Sequence, residues 1–358
     1  MTMHAAPVLP GRLGSPDMQL RDDPRADPRM LAAMAPFGLD GVLPPTPVTS
    51  DSPDEEIYEH VAATEEGFGA VFAALFGDLP EIAGVESTTE VIRGVDGNDI
   101  QLYVHRPSST DGAVPCVVHT HGGGMVLGAA ADPNYVRWRD SLAAAGLVVV
   151  GVEFRNGAGK LGNHPFPAGL NDCTSGLQWA HDHRADLGIS TIVVSGESGG
   201  GNLALATALK ARREGRIDQI DGVYAQCPYI SNAYDRGDPN LPSLVENDGY
   251  FLSGQMMGPL ARIYDPSREH DTDPLAWPYH AEVADLEGLP PHVISVNELD
   301  PLRDEGLAYF RKLLAAGVPA VGRTVNGTCH AGDCLFPKAM PDVYAATIAD
   351  LAAFARSL

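Results

Sequence analysis

The stretch Thr191-Ile-Val-Val-Ser-Gly-Glu-Ser-Gly-Gly-Gly-Asn202 constrains this chain more than any other. It opens with a short β-branched, apolar run, residues 191–194, of the kind that makes a buried strand. A glycine-rich turn follows, and then a helical pattern from Asn202 through Arg213. Ser198 stands at the turn, inside Gly196-Glu197-Ser198-Gly199-Gly200, which fits G-x-S-x-G. A strand that reverses sharply into a helix strains the backbone of its central residue. Side chains at the flanking positions would strike the neighbouring elements, so glycine suits them. The serine hydroxyl is then held at the tip of the turn, and the helix N-terminus behind it favours developing negative charge. A turn of this composition also suits a phosphate, so its meaning depends on the rest of the chain.

The 358 residues suffice for a large core, and α/β folds often run to this length as one unit. Apolar residues make up 44% and charged residues 20%, the balance of a globular protein. The formal net charge of −23 argues against nucleic acid and anionic membrane as partners. No stretch of eighteen apolar residues offers a membrane span. The first 29 residues lack the charged-then-apolar order of a secretory signal. The five cysteines, Cys116, Cys173, Cys227, Cys329 and Cys334, are an odd, scattered set, which points to a reducing, cytoplasmic setting and buried thiols. Cys329 and Cys334 flank His330, but three candidate ligands without a second cluster do not make a zinc site. No metal and no organic cofactor is expected.

Residues 1–50 are rich in Pro, Asp and Gly and read as a loosely structured arm, with one short helix over 28–34. Ser52-Pro53-Asp54-Glu55 reads as a helix start with a capping serine, the helix running to about Phe76. Residues 86–93 and 100–106 flank Asp96-Gly97-Asn98 as a hairpin. From there strands and helices alternate: strand 114–119, helix 135–145, strand 147–154, helix 171–184, the Ser198 unit, and strand 222–227. Residues 229–277 break the rhythm, with a helix only near 253–264. Alternation resumes with strand 292–297, helix 304–316, strand 320–325 and helix 342–357. Strands alternating with helices after an initial hairpin predict a mostly parallel sheet covered on both faces.

A nucleophilic serine needs a base, and the base needs an orienting acid. In open parallel sheets the reacting groups gather beyond the carboxyl ends of the strands. His270 and His280 lie in or beside the irregular insertion, and His292 opens a strand at the wrong end. His330 follows strand 320–325 in the loop Asn326-Gly-Thr-Cys-His-Ala-Gly and is the candidate base. Asp300 follows strand 292–297 directly and is the candidate acid. Glu298 is its rival, while Asp304 suits a helix cap. The residues His121-Gly122-Gly123-Gly124 end strand 114–119. Glycines there let main-chain N–H groups approach a developing oxyanion without obstruction, and Gly199 supplies another N–H.

These motifs together resemble those of the hormonesensitive-lipase-like carboxylesterases of the α/β-hydrolase fold. The matching residues are His121-Gly-Gly-Gly124, Gly196-Glu-Ser-Gly-Gly-Gly-Asn202, Asp300-Pro-Leu-Arg-Asp304 and His330. Phe154-Arg155-Asn156 and His164-Pro165-Phe166-Pro167 are similar to the bacterial brefeldin A esterase branch. The resemblance runs from about Ser52 to the C-terminus. It implies Ser198 as nucleophile, Asp300 as acid and His330 as base, with Gly123, Gly124 and Gly199 as oxyanion donors. It also implies a helical cap built from an N-terminal segment and the insertion. Two departures stand out: Glu197 where the family usually has Asp, and Gly199 where Ala is common.

The expectation is a serine carboxylesterase for short- to medium-chain esters. An amidase, acylamidase or lactonase using the same triad is the alternative. A non-catalytic binding protein on this fold would be expected to lack a triad member, and none is missing. The expected organisation is an arm with cap helices over 1–80, a catalytic core over 81–229 and 278–358, and a cap insertion over 230–277. Phe68, Phe72, Tyr250, Phe251, Met256, Met257 and Trp277 are candidate pocket walls. The partner is a small-molecule ester, with no nucleic acid and no membrane insertion. The C-terminal strand and helix offer a surface for a homodimer.

Overall fold

A computed structural model describes residues 9–358. Eight strands form one sheet in the order β1-β2-β4-β3-β5-β6-β7-β8. They are β1 (Val85–Arg93), β2 (Asp99–Pro107), β3 (Val114–Thr120), β4 (Val148–Val152), β5 (Ile189–Glu197), β6 (Gly222–Gln226), β7 (His292–Asn297) and β8 (Ala320–Val325). The hairpin partners β1 and β2 are antiparallel, and β2 meets β4 antiparallel. Every later pairing is parallel. β7 and β8 occupy the residues expected from the sequence. The Ser198 strand reaches further than its apolar run on both sides, because ladder bonds to β3 and β6 recruit the flanking polar and glycine residues.

Strand order positions the chemistry. β4 intervenes between β3 and β5 in sequence but lies on the far side of β3, so β3 and β5 are direct neighbours. Thr120 pairs with Gly196 in that register, and the glycine loop after β3 therefore emerges beside the Ser198 turn after β5.

Alternate side chains along the central strands point to opposite faces. Val117, Val149, Val193 and Val293 pack on one face against Trp138, Leu142, Ile348 and Leu351. Those four residues belong to the helices Pro133–Ala144 and Pro341–Arg356. Val118, Val150, Val194 and Ile294 belong to the larger core on the other face. It includes Leu177 from helix Ala168–Asp182, Leu203 from helix Gly199–Arg213 and Leu313 from helix Arg303–Ala315. A parallel sheet covered on both faces needs such apolar runs, since neither side meets water.

Two expectations about the N-terminal segment are corrected. The arm is not loose: Leu20, Met30 and Met34 are buried in the main core. Asp27 caps helix Pro28–Met34 by accepting the Arg29 N–H at 2.8 Å. Its own N–H donates to the Gly327 carbonyl at 2.9 Å, and the Cys329 N–H points at Met30 Sδ at 3.3 Å. The arm is thus stitched to the loop that carries His330. Its apolar residues are too few and too widely spaced for periodicity to reveal this. The second correction concerns Ser52. Helix Asp54–Phe76 starts without a side-chain cap, and Ser52 Oγ instead accepts the Thr49 N–H at 3.1 Å. The acidic first turn, Asp54, Glu55 and Glu56, complements the helix dipole in its place.

Met30→Ala is expected to lower unfolding free energy by about 2–5 kcal/mol in a urea titration, the cost of a cavity under a buried methionine. An unchanged midpoint would show that the arm contributes no packing.

Candidate active site

Ser198 has φ 58° and ψ −121°, a region that L-residues rarely occupy. The strain, of order 1–3 kcal/mol, persists because neighbours hold both sides of the residue. Its N–H donates to Gln226 O at 2.9 Å, and its carbonyl accepts from Asn202 N–H at 3.0 Å and Tyr229 N–H at 3.1 Å. The flanking glycines are required by contact. A Cβ on Gly200 would sit 2.0 Å from the Thr120 carbonyl oxygen, and one on Gly196 would sit 2.4 Å from it. Their absence lets the helix start press against the end of β3. Ser198 itself is partly exposed, at the floor of a cavity.

The glycine loop after β3 uses backbone that other residues resist: Gly123 has φ +109° and Gly124 φ +63°. A Cβ on Gly199 would lie 2.5 Å from the Met125 nitrogen and 2.6 Å from the Gly124 nitrogen. The loop amides therefore lean directly on the residue that follows Ser198, which explains Gly199 where alanine is common. Glu197 joins the same assembly. One carboxylate oxygen accepts the Gly122 N–H at 2.9 Å, and the other meets His119 Nε2 at 3.0 Å. Sequence reasoning noted only the added methylene of Glu197. The structure shows what that length reaches, and His119, the penultimate residue of β3, was not singled out at all. His121 is structural. Its Nδ1–H donates to Gly122 O at 2.7 Å, its ring stacks on Phe154 at 4.2 Å, and burial drives its pKa down to about 3.

His330 and Asp300 come together from the ends of β8 and β7. His330 Nδ1 lies 2.7 Å from Asp300 Oδ2, with both side chains buried. The other oxygen of Asp300 accepts the Leu302 N–H at 2.9 Å, which fixes the carboxylate plane. Asn297 steadies the histidine loop: its Oδ1 accepts the Ala331 N–H at 3.1 Å, and its amide donates to Thr328 and Asp333. The rivals are elsewhere. Glu298 accepts the Gly327 N–H at 2.9 Å. Asp304 is not a helix cap as expected, because its carboxylate takes the Ser243 N–H at 2.7 Å. His292 is locked to Pro290 O at 2.6 Å at the opposite end of β7, and burial lowers its pKa to about 4. His270 and His280 belong to the insertion side, His280 facing Ser231 O at 3.0 Å.

Ser198, residues 122–124 and His330 all line one cavity of about 100 Å³. Its walls include Phe68, Phe72 and Phe251, whose rings cluster with centroids 5.7 and 5.9 Å apart, together with Met256 and Met257. Two expected wall residues are not there. Trp277 is fully buried behind the wall against Tyr229 and Tyr264, and Tyr250 turns its hydroxyl toward Met18 O at 3.4 Å. Tyr229, which stands in front of Trp277, is a wall residue instead.

Among the described residues, Cys227, Asp300 and His330 are the one His, Cys and acid group close enough to share a metal, their ligand atoms lying within 4.8 Å. They fit one poorly. His330 Nδ1 and Asp300 already bond each other, and burial pushes the Cys227 thiol well above its ordinary pKa, which disfavours the thiolate ligand. The sequence cluster around His330 does not converge either: Cys329 Sγ faces Met34 Sδ at 4.0 Å, and Cys334 Sγ accepts from Gln226 at 3.0 Å.

The model of the α/β hydrolase fold family matches residues 117–332. A solved structure described as brefeldin A esterase, a bacterial homologue of human hormone-sensitive lipase, superposes with a TM-score of 0.94 at 48% identity, covering 97% of this chain and 98% of that one. The esterase Est22 superposes at 0.84 with 39% identity over 94% of this chain and 99% of its own. The carboxylesterase NlhH of Mycobacterium tuberculosis is 34% identical over 285 residues, which is 78% of this chain and 84% of the relative. The chain belongs to the hormone-sensitive-lipase-like carboxylesterases. Its eight-stranded, mostly parallel sheet is that of the α/β-hydrolase fold. Among the described residues of this carboxylesterase, no helix is long and apolar enough to cross a membrane.

Two outcomes follow. Gly200→Ala is expected to abolish soluble, folded protein or lower Tm sharply, since backbone rather than a movable side chain blocks the new methyl; a native Tm would refute the contact. Glu305, fully buried, accepts from Ile230 N–H, the Ser231 hydroxyl and Tyr234, and burial raises its pKa to about 8. Between the ordinary carboxyl range and that value the folded state holds a proton the unfolded chain has released, so its contribution to stability falls as pH rises through this window. Glu305→Gln should therefore gain on the parent by a few degrees in Tm at pH 8.5 and lose that advantage near pH 5. A pH-independent difference would contradict the linkage.

Proposed function

We propose that the chain is a serine carboxylesterase in which Ser198 is the nucleophile, His330 the general base and Asp300 the acid that orients it. The observation that carries this reading is the 2.7 Å contact of His330 Nδ1 with Asp300 Oδ2, in a cavity that Ser198 and the glycine loop also line. A carboxylate on Nδ1 leaves Nε2 as the basic nitrogen and stabilises the imidazolium that forms when it takes the serine proton. The serine oxygen attacks the ester carbonyl. The charge that develops on the carbonyl oxygen is met by the N–H groups of Gly123, Gly124 and Gly199. The alkoxide leaves with the proton from His330, and water then repeats the sequence on the acyl-enzyme. No step requires a metal or an organic cofactor.

Helix Asp54–Phe76 and the insertion over residues 230–277 act as the cap that sets substrate size. The helix contributes Phe68, Phe72 and Phe76 to the cavity, and the insertion Phe251, Met256 and Met257. A cavity of about 100 Å³ holds about seven to ten water-sized positions, which suits short and medium acyl chains.

Ser198→Ala and Asp300→Asn are each expected to lower kcat for p-nitrophenyl butyrate by about 10⁴-fold or more, with the fold intact by circular dichroism. Across p-nitrophenyl esters from acetate to palmitate, kcat/KM should peak at short chains and fall away past about ten carbons. Residual wild-type rates in Ser198→Ala would remove the nucleophile from the reading. Preference for palmitate would remove the size assignment.

A further inference from the structure

The cavity beside Ser198 has one end unlike the rest. The cap side is aromatic and methionine-rich, whereas the first turn and a half of helix Pro133–Ala144 places Asn134, Tyr135 and Trp138 along the opposite wall. Asn134 is 3% exposed, yet its side-chain oxygen is buried without a partner, the amide nitrogen meeting only the hydroxyl of its neighbour Tyr135. The other buried asparagines of the catalytic region all anchor their amide groups: Asn156 to Gly128 O, Asn202 to Tyr229 O and Ala276 O, and Asn297 to Thr328 and Asp333. The oxygens of Asn156 and Asn202 are likewise unpartnered, but of these asparagines Asn134 alone lines the cavity.

Its neighbour extends the pattern. The Tyr135 hydroxyl lies beside the Asn134 amide and bonds to nothing else among the described residues. A Cβ on Gly122 would touch both this hydroxyl, at 3.2 Å, and Ser198 Cβ, at 3.5 Å, so the phenol stands next to the reacting centre. The indole N–H of Trp138, one turn along the same helix, is also buried without a partner. A buried amide oxygen without a partner is costly to keep, and a tyrosine needs no hydroxyl merely to fill an apolar wall. The nearby Glu197 does not meet the need: its oxygens bond to Gly122 and His119 and to none of these three side chains.

We infer that Asn134 and Tyr135 form a polar subsite that binds a hydroxyl group carried by the substrate. An amide and a phenol together offer a donor and an acceptor at one place, and a hydroxyl is the small group that answers both. The preferred substrates are therefore esters with a hydroxyl on the arm that enters this end of the cavity, rather than plain alkyl esters. The inference rests on the serine esterase reading, since it assigns the subsite by its distance from Ser198. A site built to bond a hydroxyl discriminates strongly against the analogue without it, whereas an apolar wall does not.

The test uses the full-length protein and two matched substrate pairs. One pair places the hydroxyl on the acyl arm, p-nitrophenyl 3-hydroxybutyrate against p-nitrophenyl butyrate. The other places it on the alcohol arm, 3-hydroxybutyl butyrate against butyl butyrate, followed by pH-stat. In the wild type, kcat/KM should favour the hydroxylated member of one pair by about tenfold or more. That ratio should fall to near one in Asn134→Leu and drop several-fold in Tyr135→Phe. A wild-type ratio near one in both pairs overturns the subsite without any variant. So does a high ratio that survives both substitutions. Failure of the underlying reading looks different: Ser198→Ala would then cleave both members of a pair at the wild-type rate.

Discussion

The close approach of two main-chain segments, the end of β3 and the turn after β5, governs this molecule. Parallel pairing brings Thr120 opposite Gly196, and the helix that follows Ser198 starts within contact of the Thr120 carbonyl. No side chain fits between them. The strained conformation of Ser198 and the positive φ of Gly123 and Gly124 follow from that contact, as does the seating of the loop amides against Gly199. The sheet bears the strain because its central strands are buried on both faces and cannot yield without exposing the core.

Around this fixed centre, support for the site is distributed over distant parts of the chain. Glu197 ties the nucleophile turn to the glycine loop through the Gly122 N–H and to β3 through His119. Asn297, at the end of β7, holds the loop that carries His330, while Asn247 of the insertion donates to the Asp300 carbonyl at 3.1 Å. The N-terminal arm reaches the same loop through Asp27 and Met30, and Arg25 pairs with Glu246, which also holds Arg303. The histidine and its acid are thus braced by three separate segments, the end of β7, the insertion and the arm, through contacts that are buried or partly buried and so worth more than at the open surface.

Much of this was legible beforehand, for stated reasons. The alternating strands and helices had the right periods, and β7 and β8 fall on the residues their apolar runs marked. Asp300 and His330 were singled out because they follow strands at the sheet end where ligands gather, and the structure brings the two side chains to 2.7 Å. The arm was misread because its buried apolar residues, Leu20, Met30, Met34 and Val48, are too few to mark a packed face in a Pro- and Asp-rich segment. Tyr250 and Trp277 were misplaced because an aromatic residue in an insertion looks the same in sequence whether it faces a cavity or stands behind its wall.

The sequence by itself determined the fold class and the turn that presents Ser198, and it marked Asp300 and His330 as candidates at strand ends. Each is written in local chemistry: glycines at set offsets, apolar periods, and polar residues at strand ends. Tertiary structure alone decided which groups meet across the chain. Glu197 with Gly122 and His119, Met30 under the His330 loop, and Asn134 in the wall of the cavity that Ser198 lines bring together segments far apart in sequence. They depend on strand order and on how helices seat against the sheet, and no local pattern of residues encodes such distances.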